Sequence, residues 1–471
     1  MRSMIASRHL ILLGPQAEEF GLFHGPLYYY IFAPFYFLSK GEPWLPLIVM
    51  SVINLASAIP LAMISSKITK SKLAGILTFT IFCLSYAMVE YSRWLSNVSI
   101  TLPFIAWSYY FLYEIFEKER TKITFFLLGF LLGLATQGEI FFVSLIAVFF
   151  LVLIVKKSKL INLVSYSIGS VIGMLPILIA QVKFNFLGLK IFSDLFTKGY
   201  QSAAASPSVS LAGYINHLGL TFYQTIGALS APMGLFLLIL FLVWVSKEVF
   251  NKFSKEHAYL PWLLTILLAH AFLFTFEYVD TVFLDIGLAL FLIVMVGMGA
   301  YFLYKNNRLL FVGTASLFLI FQFGLFKSYL MERKPFGNYN FIHQSSTLAD
   351  LDDVISKMYE VSQGKAFTLS VIGTPFGVRT VWASVFELYA REHNVPIPKW
   401  FEYYANGYPG EEILAPTSKP AGTHILVLES NIKSLLPEPI IVRELGNQGN
   451  HTKEVQEFVI HDTTIQVRKP I

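Results

Sequence analysis

Three short polar stretches interrupt a strongly apolar chain, and each carries residue types that can bind or activate a substrate. They contain His24 with Tyr28, then Tyr91 with Arg93 and Asn97, and finally Glu139. An imidazole or a carboxylate can take a proton from an acceptor hydroxyl. A guanidinium can bind phosphate through two hydrogen bonds, and an amide can orient a hydroxyl. Together these groups could bind a phosphate, orient a hydroxyl and take its proton.

Each of these residues also has a purely structural interpretation. Arg93 could reach lipid headgroups beside Trp94, and Glu90 could pair with Arg93 across one helical turn. Glu139 could be solvated at an exposed turn. His24 could do no more than order the start of the helix that follows it.

Composition places the chain in the membrane before any motif is considered. It is 55% hydrophobic, 16% aromatic and only 14% charged, where a soluble domain has about 25% charged residues. The single cysteine, Cys83, lies in an apolar segment, so no disulfide can form within the chain. Basic residues at the membrane surface account for most of the net charge of +5, and no nucleic-acid partner is inferred.

Ten apolar runs are long enough to be candidate crossings of a bilayer. A turn at 137–139 would separate two of them, although a single helix between Lys122 and Lys156 is a competing interpretation. Asp285 is expected to be buried and paired, and His270 to be hydrogen-bonded within the bundle. The candidate crossings are 44–64, 73–92, 98–116, 123–138, 140–155, 160–181, 232–247, 259–276, 281–303 and 309–327.

Basic residues mark every second connection, which orients the bundle in a cytoplasmic membrane by the positive-inside rule. Lys156 and Lys157 are typical of the connections expected in the cytoplasm. Residues 1–43, the connection 182–231 and the chain after about Lys327 are then expected on the outer side. Because no hydrophobic segment precedes this outer N-terminus, we expect a further crossing upstream of Met1.

The chain divides into three parts by pattern. Residues 1–43 are predicted to form an outer loop with an interfacial helix, and 44–330 the membrane domain. Within it, 182–231 is predicted to be an outer loop with a polar stretch, Gln201 to Ser210, between amphipathic helices that lie in the membrane interface, at Phe184 to Phe196 and Leu211 to Ile226. A plain flexible loop is the alternative for 199–210.

Residues 337–471 are predicted to form a small α/β domain outside the membrane. Helices are predicted at Thr347 to Ser362 and Val381 to His393, strands at Phe367 to Ile372, His424 to Glu429 and Ile440 to Glu444, and a hairpin at Glu457 to Arg468. The predicted fold class is therefore mainly α, a polytopic helical bundle with an extracytoplasmic α/β domain.

The first outer loop resembles that of bacterial membrane glycosyltransferases of the dolichyl-phosphate-mannose protein mannosyltransferase-like type, which have the GT-C fold. The similar residues are Gly14-Pro15, His24-Gly25-Pro26-Leu27-Tyr28-Tyr29-Tyr30, Pro34 and Gly41. Tyr91-Ser92-Arg93-Trp94, Asn97 and Leu102-Pro103-Phe104 resemble the second outer motif, and Gln137-Gly138-Glu139 fits an outer turn.

This resemblance implies transfer of a sugar from a polyprenyl phosphate to a glycan, lipid or protein acceptor. It also implies a catalytic Asp in the first outer loop, just after the first crossing, where this chain offers only Glu18 and Glu19. Asn97 stands where the family often has an acidic residue.

Two alternatives remain open from the sequence: a multi-pass transporter or flippase of lipid-linked sugars, and a catalytically inactive GT-C-like protein. We find no repeat relating the two halves, which many transporters show. The sequence has no HExxH motif, cysteine cluster or glycine-rich phosphate loop, so no metal or nucleotide cofactor is expected.

Overall fold

The computed structural model describes residues 10–15, 22–118, 120–198, 211–227, 230–252, 258–274, 282–330, 348–373, 379–401, 410, 412–429, 432 and 438–471. The chain divides into two compact units, Met1–Lys327 and Ser328–Ile471.

The described part of the membrane unit is helical. Its helices are α1 (Leu27–Leu38), α2 (Trp44–Leu55), α3 (Ala58–Thr69), α4 (Lys72–Leu84), α5 (Tyr86–Arg93), α6 (Thr101–Glu117), α7 (Lys122–Gly138), α8 (Val143–Val155), α9 (Leu160–Gly173), α10 (Leu175–Lys183), α11 (Leu187–Lys198), α12 (Leu211–Thr225), α13 (Ala231–Lys252), α14 (Tyr259–Phe274), α15 (Ile286–Asn306) and α16 (Arg308–Leu330). Short 3₁₀ helices, Ile140–Phe142 and Val282–Asp285, precede α8 and α15.

Within the described residues, each predicted crossing coincides with a helix or with two consecutive helices. By length and composition, four helical segments in the described residues can span a membrane: Trp44–Thr69, Pro232–Asn251, Ile286–Asn306 and Arg308–Lys327. The total rises to six if the pairs α4–α5 and α9–α10, bent by 60° and 63°, each count as one span. The predicted class, a mainly helical membrane bundle with a small α/β domain, is confirmed.

Helices α7 and α9 approach closely because glycines face each other at their interface. A Cβ added to Gly133 would lie 2.9 Å from the Cα of Gly173, and one added to Gly129 would lie 2.1 Å from the Tyr166 carbonyl oxygen. In each helix the glycines are four residues apart (129 and 133, 169 and 173), a spacing that lets helix backbones pack tightly in a membrane. This contact fixes the end of α7, where the predicted turn lies.

The turn at 137–139 is confirmed, and the alternative of one helix from Lys122 to Lys156 is wrong. Helix α7 ends at Gly138, and Glu139 adopts an extended conformation as the N-cap of the 3₁₀ helix. Helix α15 lies at the centre of the unit, and most of its side chains are buried.

The second unit holds a five-stranded sheet of β1 (Thr368–Ile372), β2 (Lys399–Trp400), β3 (His424–Leu428), β4 (Thr452–Ile460) and β5 (Thr463–Pro470) in the order β2-β1-β3-β5-β4. Strand β1 pairs in parallel with β2 and β3, and β5 pairs antiparallel with β3 and β4. The helices in the described part of this unit are α17 (Leu348–Val361), α18 (Thr380–His393) and α19 (Glu438–Gly449).

One predicted strand in this unit is wrong. Residues 440–444 belong to helix α19, because Ile441 and Leu445, four residues apart, pack on the same cluster as Ile372 and Leu426 while Val442 is exposed. Ile440, Ile441 and Val442 are all β-branched, and such a run is typical of a strand. The other predicted strands, the two helices and the terminal hairpin are present.

Candidate functional site

The three polar stretches singled out in the sequence are joined by hydrogen bonds around the end of α7. The backbone N–H of Gly25 donates to the Gln137 carbonyl at 2.8 Å, and Asn97 Nδ2 donates to the Gly138 carbonyl at 2.6 Å. A Cβ at Gly25 would lie 2.6 Å from the Cβ of Gln137, so only glycine fits this approach. We call the contact of Gly25 and Asn97 with Gln137 and Gly138 the junction.

The first stretch is anchored to the second as well. The Tyr28 hydroxyl donates to the Leu95 carbonyl at 3.1 Å, and the Tyr28 ring is buried against Phe32, Met50 and Ile100. Tyr28, a predicted substrate-binding residue, therefore positions the loop through its hydroxyl.

His24 is held beside the junction by its backbone and lines a cavity with its side chain. Its carbonyl accepts from the Gly14 N–H and its N–H donates to the Pro15 carbonyl, both at 2.9 Å. The cavity of about 100 Å³ is otherwise mostly apolar, with walls that include Leu12, Ile177 and neighbouring residues of α10 and α11. Among the described residues, Nδ1 has no hydrogen-bond partner.

Burial lowers the pKa of His24 from 6.5 to about 4. The imidazole is therefore neutral at physiological pH, where it can accept a hydrogen bond on one nitrogen and donate one from the other. It can orient a hydroxyl, but it does not supply a positive charge for a phosphate.

Glu139 is buried, and the alternative of a solvated carboxylate is wrong. Its Oε1 accepts from the Phe141 N–H at 3.3 Å and so caps the 3₁₀ helix. The preceding Gln137 donates from Nε2 to the Gly173 carbonyl at 2.6 Å. The Glu139 carboxylate therefore directly follows the junction in sequence. The two residues before it are hydrogen-bonded to Gly25, Asn97 and Gly173.

Arg93 ends helix α5 with 40% of its side chain exposed. Its Nη1 lies 3.7 Å from Oε1 of the buried Glu90, so the predicted pair across one helical turn is confirmed. Tyr91, between them, is fully buried, and its carbonyl accepts from Asn54 Nδ2 at 3.2 Å. Glu18 and Glu19 lie outside the described residues.

Comparison with known proteins gives a structural neighbour. No protein-family model matches the chain, and no curated protein matches it. The crystal structure of ArnT from Cupriavidus metallidurans bound to undecaprenyl phosphate is similar over 99% of this chain and 91% of that one, with a TM-score of 0.50 and 11% identity. The chain has the GT-C fold.

This GT-C bundle also contains a buried polar cluster centred on Asp285. Asp285, at the end of the 3₁₀ helix before α15, is hydrogen-bonded through Oδ1 to His217 Nε2 and accepts on Oδ2 from Thr221 at 3.2 Å. His270 Nε2 lies 2.7 Å from the Tyr109 hydroxyl. The predictions of a buried, paired Asp285 and a hydrogen-bonded His270 are both confirmed.

His217 belongs to none of the motifs recognised in the sequence. The available signal was the spacing of His217, Thr221, Gln224 and Thr225, which share one face of α12. The sequence predicted only that this helix lies in the membrane interface. In the structure the polar face is turned into the bundle and buried.

Acidic residues and histidines do not gather into a metal centre in the described part of the chain. No group of three or more His, Cys, Asp or Glu there is arranged to hold a metal ion.

Proposed function

We propose that this chain is an integral membrane glycosyltransferase that moves a sugar from a polyprenyl phosphate to an acceptor on the outer face of the cytoplasmic membrane. The observation that carries the proposal is the junction, which brings the three predicted outer stretches together within a GT-C fold. The charge alternation that places these stretches outside also places the α/β domain there.

The donor follows from the chemistry of the site and from the ligand of the structural neighbour, which is undecaprenyl phosphate. A sugar on a lipid phosphate already has a good leaving group, so the enzyme must position it and neutralise the phosphate. In our proposal Arg93 binds this phosphate. Glu90 restrains the guanidinium at the end of α5 while leaving it partly exposed.

The acceptor hydroxyl must lose a proton as the new bond forms. We assign this proton to Glu139, because it is a buried carboxylate at the junction and a carboxylate can take the proton when an acceptor reaches it. The neutral imidazole of His24 orients the acceptor or the sugar. The donor bond between anomeric carbon and phosphate oxygen breaks, and the polyprenyl phosphate leaves.

The test is release of free undecaprenyl phosphate by purified protein in liposomes. Undecaprenyl-phosphate hexose and pentose are supplied with acceptor membranes, and the released lipid is quantified by mass spectrometry. We expect acceptor-dependent release that Glu139→Gln reduces by roughly 100-fold or more, as for loss of a general base. Thr314→Val is the control, since this exposed hydroxyl bonds only within its own helix in the described structure.

Absence of release with every donor, together with movement of the intact sugar-lipid across the bilayer, would overturn the proposal in favour of a transporter. Full activity of Glu139→Gln would exclude only the role assigned to that carboxylate.

A further inference from the structure

The face of α12 turned into the bundle is polar. His217, Thr221, Gln224 and Thr225 occupy it and are all buried. Helix α12 packs against α13, α15 and α5, so these side chains lie among helices and not in water. Polar groups in such a position normally have hydrogen-bond partners, because burying an unsatisfied donor or acceptor is costly.

Within the described structure, only the side chains of the first two residues on this face have hydrogen-bond partners. His217 and Thr221 bond to Asp285. Gln224, fully buried, has no hydrogen-bond partner among the described residues on either Oε1 or Nε2, and the same holds for Thr225 Oγ1.

Helix α5 contributes a third group of this kind. Oε1 of the buried Glu90 has no hydrogen-bond partner among the described residues, and Arg93 approaches it only to 3.7 Å. Glu90 is thus an acceptor within the bundle, beside the guanidinium that we assign to the phosphate.

Hydrogen bonds among Ser85, Tyr86, Thr225, Ile226 and Gln322, which we call the polar joint, connect α5 with α12. Ser85 Oγ donates to the Thr225 carbonyl at 2.8 Å. Gln322 of α16 accepts from the Tyr86 N–H at 2.6 Å and donates to the Ile226 carbonyl at 2.9 Å. Gln224 precedes this joint on α12, and Glu90 lies one turn beyond Tyr86 on α5.

Two buried glutamines near this joint therefore differ in one respect. Both amide atoms of Gln322 are used to satisfy backbone groups at the ends of α5 and α12. Neither amide atom of Gln224 has such a use in the described structure. A role in holding the helices together explains the first glutamine and leaves the second unexplained.

We propose that Gln224, Thr225 and Glu90 form a subsite for the sugar ring of the lipid-linked donor. An amide, a hydroxyl and a carboxylate offer both donors and acceptors, which suits sugar hydroxyls that do both. A phosphate only accepts, and the acceptor oxygens of Glu90 and Gln224 would repel it. The sugar would then lie beside Glu90 while its phosphate meets Arg93.

This subsite presupposes the glycosyl transfer proposed above, and its test separates the two. Binding of undecaprenyl phosphate and of undecaprenyl-phosphate hexose is measured in nanodiscs for wild-type protein and for Gln224→Leu. We expect the variant to lose about tenfold or more in affinity for the sugar-lipid. Its affinity for undecaprenyl phosphate should change by less than about twofold, within the range of a neutral substitution.

Thermal stability supplies the matched comparison. Gln224→Leu should melt at or above the wild-type temperature, because it removes an unsatisfied buried amide. Gln322→Leu should melt lower, because it leaves the Tyr86 N–H and the Ile226 carbonyl without partners. Thr225→Val, which keeps the side-chain shape, should show the same selective loss of sugar-lipid binding if Gln224→Leu does not fold.

Equal weakening of both lipids, or unchanged binding of both, would overturn the subsite while leaving the proposed function in place. A lower melting temperature of Gln224→Leu with unchanged discrimination would mean that the amide holds a structural water, and would also overturn it. If wild-type protein bound neither lipid, the proposed function would fall together with the subsite.

Discussion

The side-chain amide of Asn97 donates to the backbone carbonyl of Gly138 across 2.6 Å, and this bond ties the second outer stretch to the end of α7. A Cβ on Gly138 would lie 2.4 Å from the Asn97 carbonyl oxygen and 2.3 Å from the Thr101 methyl. Asn97 was predicted to orient a hydroxyl of the substrate. Its Nδ2 already serves the structure, so we assign its main contribution to positioning.

Loss of this bond should therefore lower stability. Asn97→Ala leaves the Gly138 carbonyl without its donor and should cost about 1–3 kcal/mol. Asn97→Asp should cost more, since it sets a carboxylate against that carbonyl. The melting temperature of purified protein is the measurement, with Ser165→Ala as control because that exposed hydroxyl bonds to its own helix. An Asn97→Ala protein as stable as the control would contradict the positioning role.

Gly25 should be intolerant of even one methyl group. In Gly25→Ala the new Cβ would lie 2.6 Å from the Gln137 Cβ, so the first loop must move away from α7 and the bond from its N–H must lengthen. We expect a lower melting temperature and a loss of glycosyl transfer. Gly313→Ala is the matched control: nothing described lies within 4 Å of its added Cβ, and Ala at an exposed helix position is worth about 0.5–1 kcal/mol over Gly. Equal behaviour of the two variants would argue against a tight junction.

Sequence patterns predicted the membrane class, the helical segments and the turn at 137–139, because those follow from apolar run length and from breaks in it. They predicted the Glu90–Arg93 pair from its spacing of one helical turn. They predicted a paired Asp285 because an ionisable group among apolar residues needs a partner. They could not show that Asn97 and Gly25 meet at one helix end, since contacts between distant segments depend on packing. Nor could they show that the polar face of α12 points inward, because amphipathicity does not state which face meets water.

The α/β unit should lose stability in mild acid because of His424. Burial lowers the pKa of His424 to about 4, and its ring nitrogens lie 3.0 Å from Thr368 Oγ1 and 2.9 Å from Gln448 Oε1. In the unfolded chain the pKa of His424 is near 6.5, so between pH 6.5 and 4 the unfolded state binds a proton that the folded unit does not. The contribution of His424 to the free energy of unfolding is therefore fully present above about pH 6.5. It decreases by about 3 kcal/mol in all as the pH falls to 4.

Hydrogen exchange of β3 in the full chain measures this effect. The free energy of opening at the β3 amides should be about 1.4 kcal/mol lower at pH 5.5 than at pH 7.5, after correction for the intrinsic exchange rate. His424→Gln should flatten that difference. An unchanged pH dependence in the variant would assign the effect to other groups.

The orientation of the chain can be read from cysteine labelling in intact cells. Replacing Cys83 by serine gives a background without thiols, since it is the single cysteine. In that background Glu392→Cys, exposed on α18, should react with a membrane-impermeant thiol reagent, whereas Lys156→Cys, exposed at the end of α8, should be protected. The reverse pattern would move the junction to the cytoplasmic side.

Arg93 offers the sharpest test of the donor site, because its two interpretations predict different results for one conservative change. Arg93→Lys keeps the charge and loses the planar fork. If Arg93 binds the donor phosphate, transfer should slow by about 30- to 1,000-fold, or roughly 2–4 kcal/mol, at unchanged melting temperature. If it only reaches headgroups, the lysine stem and ammonium serve nearly as well and the rate should stay near wild type.

The pair with Glu90 is long, at 3.7 Å, so a lysine there should cost little stability. A rate within about twofold of wild type, a change of less than about 0.5 kcal/mol in the barrier, would exclude the phosphate role. Lys183, at the end of α10, and Lys190, in α11, would then be the next basic residues to test as phosphate ligands.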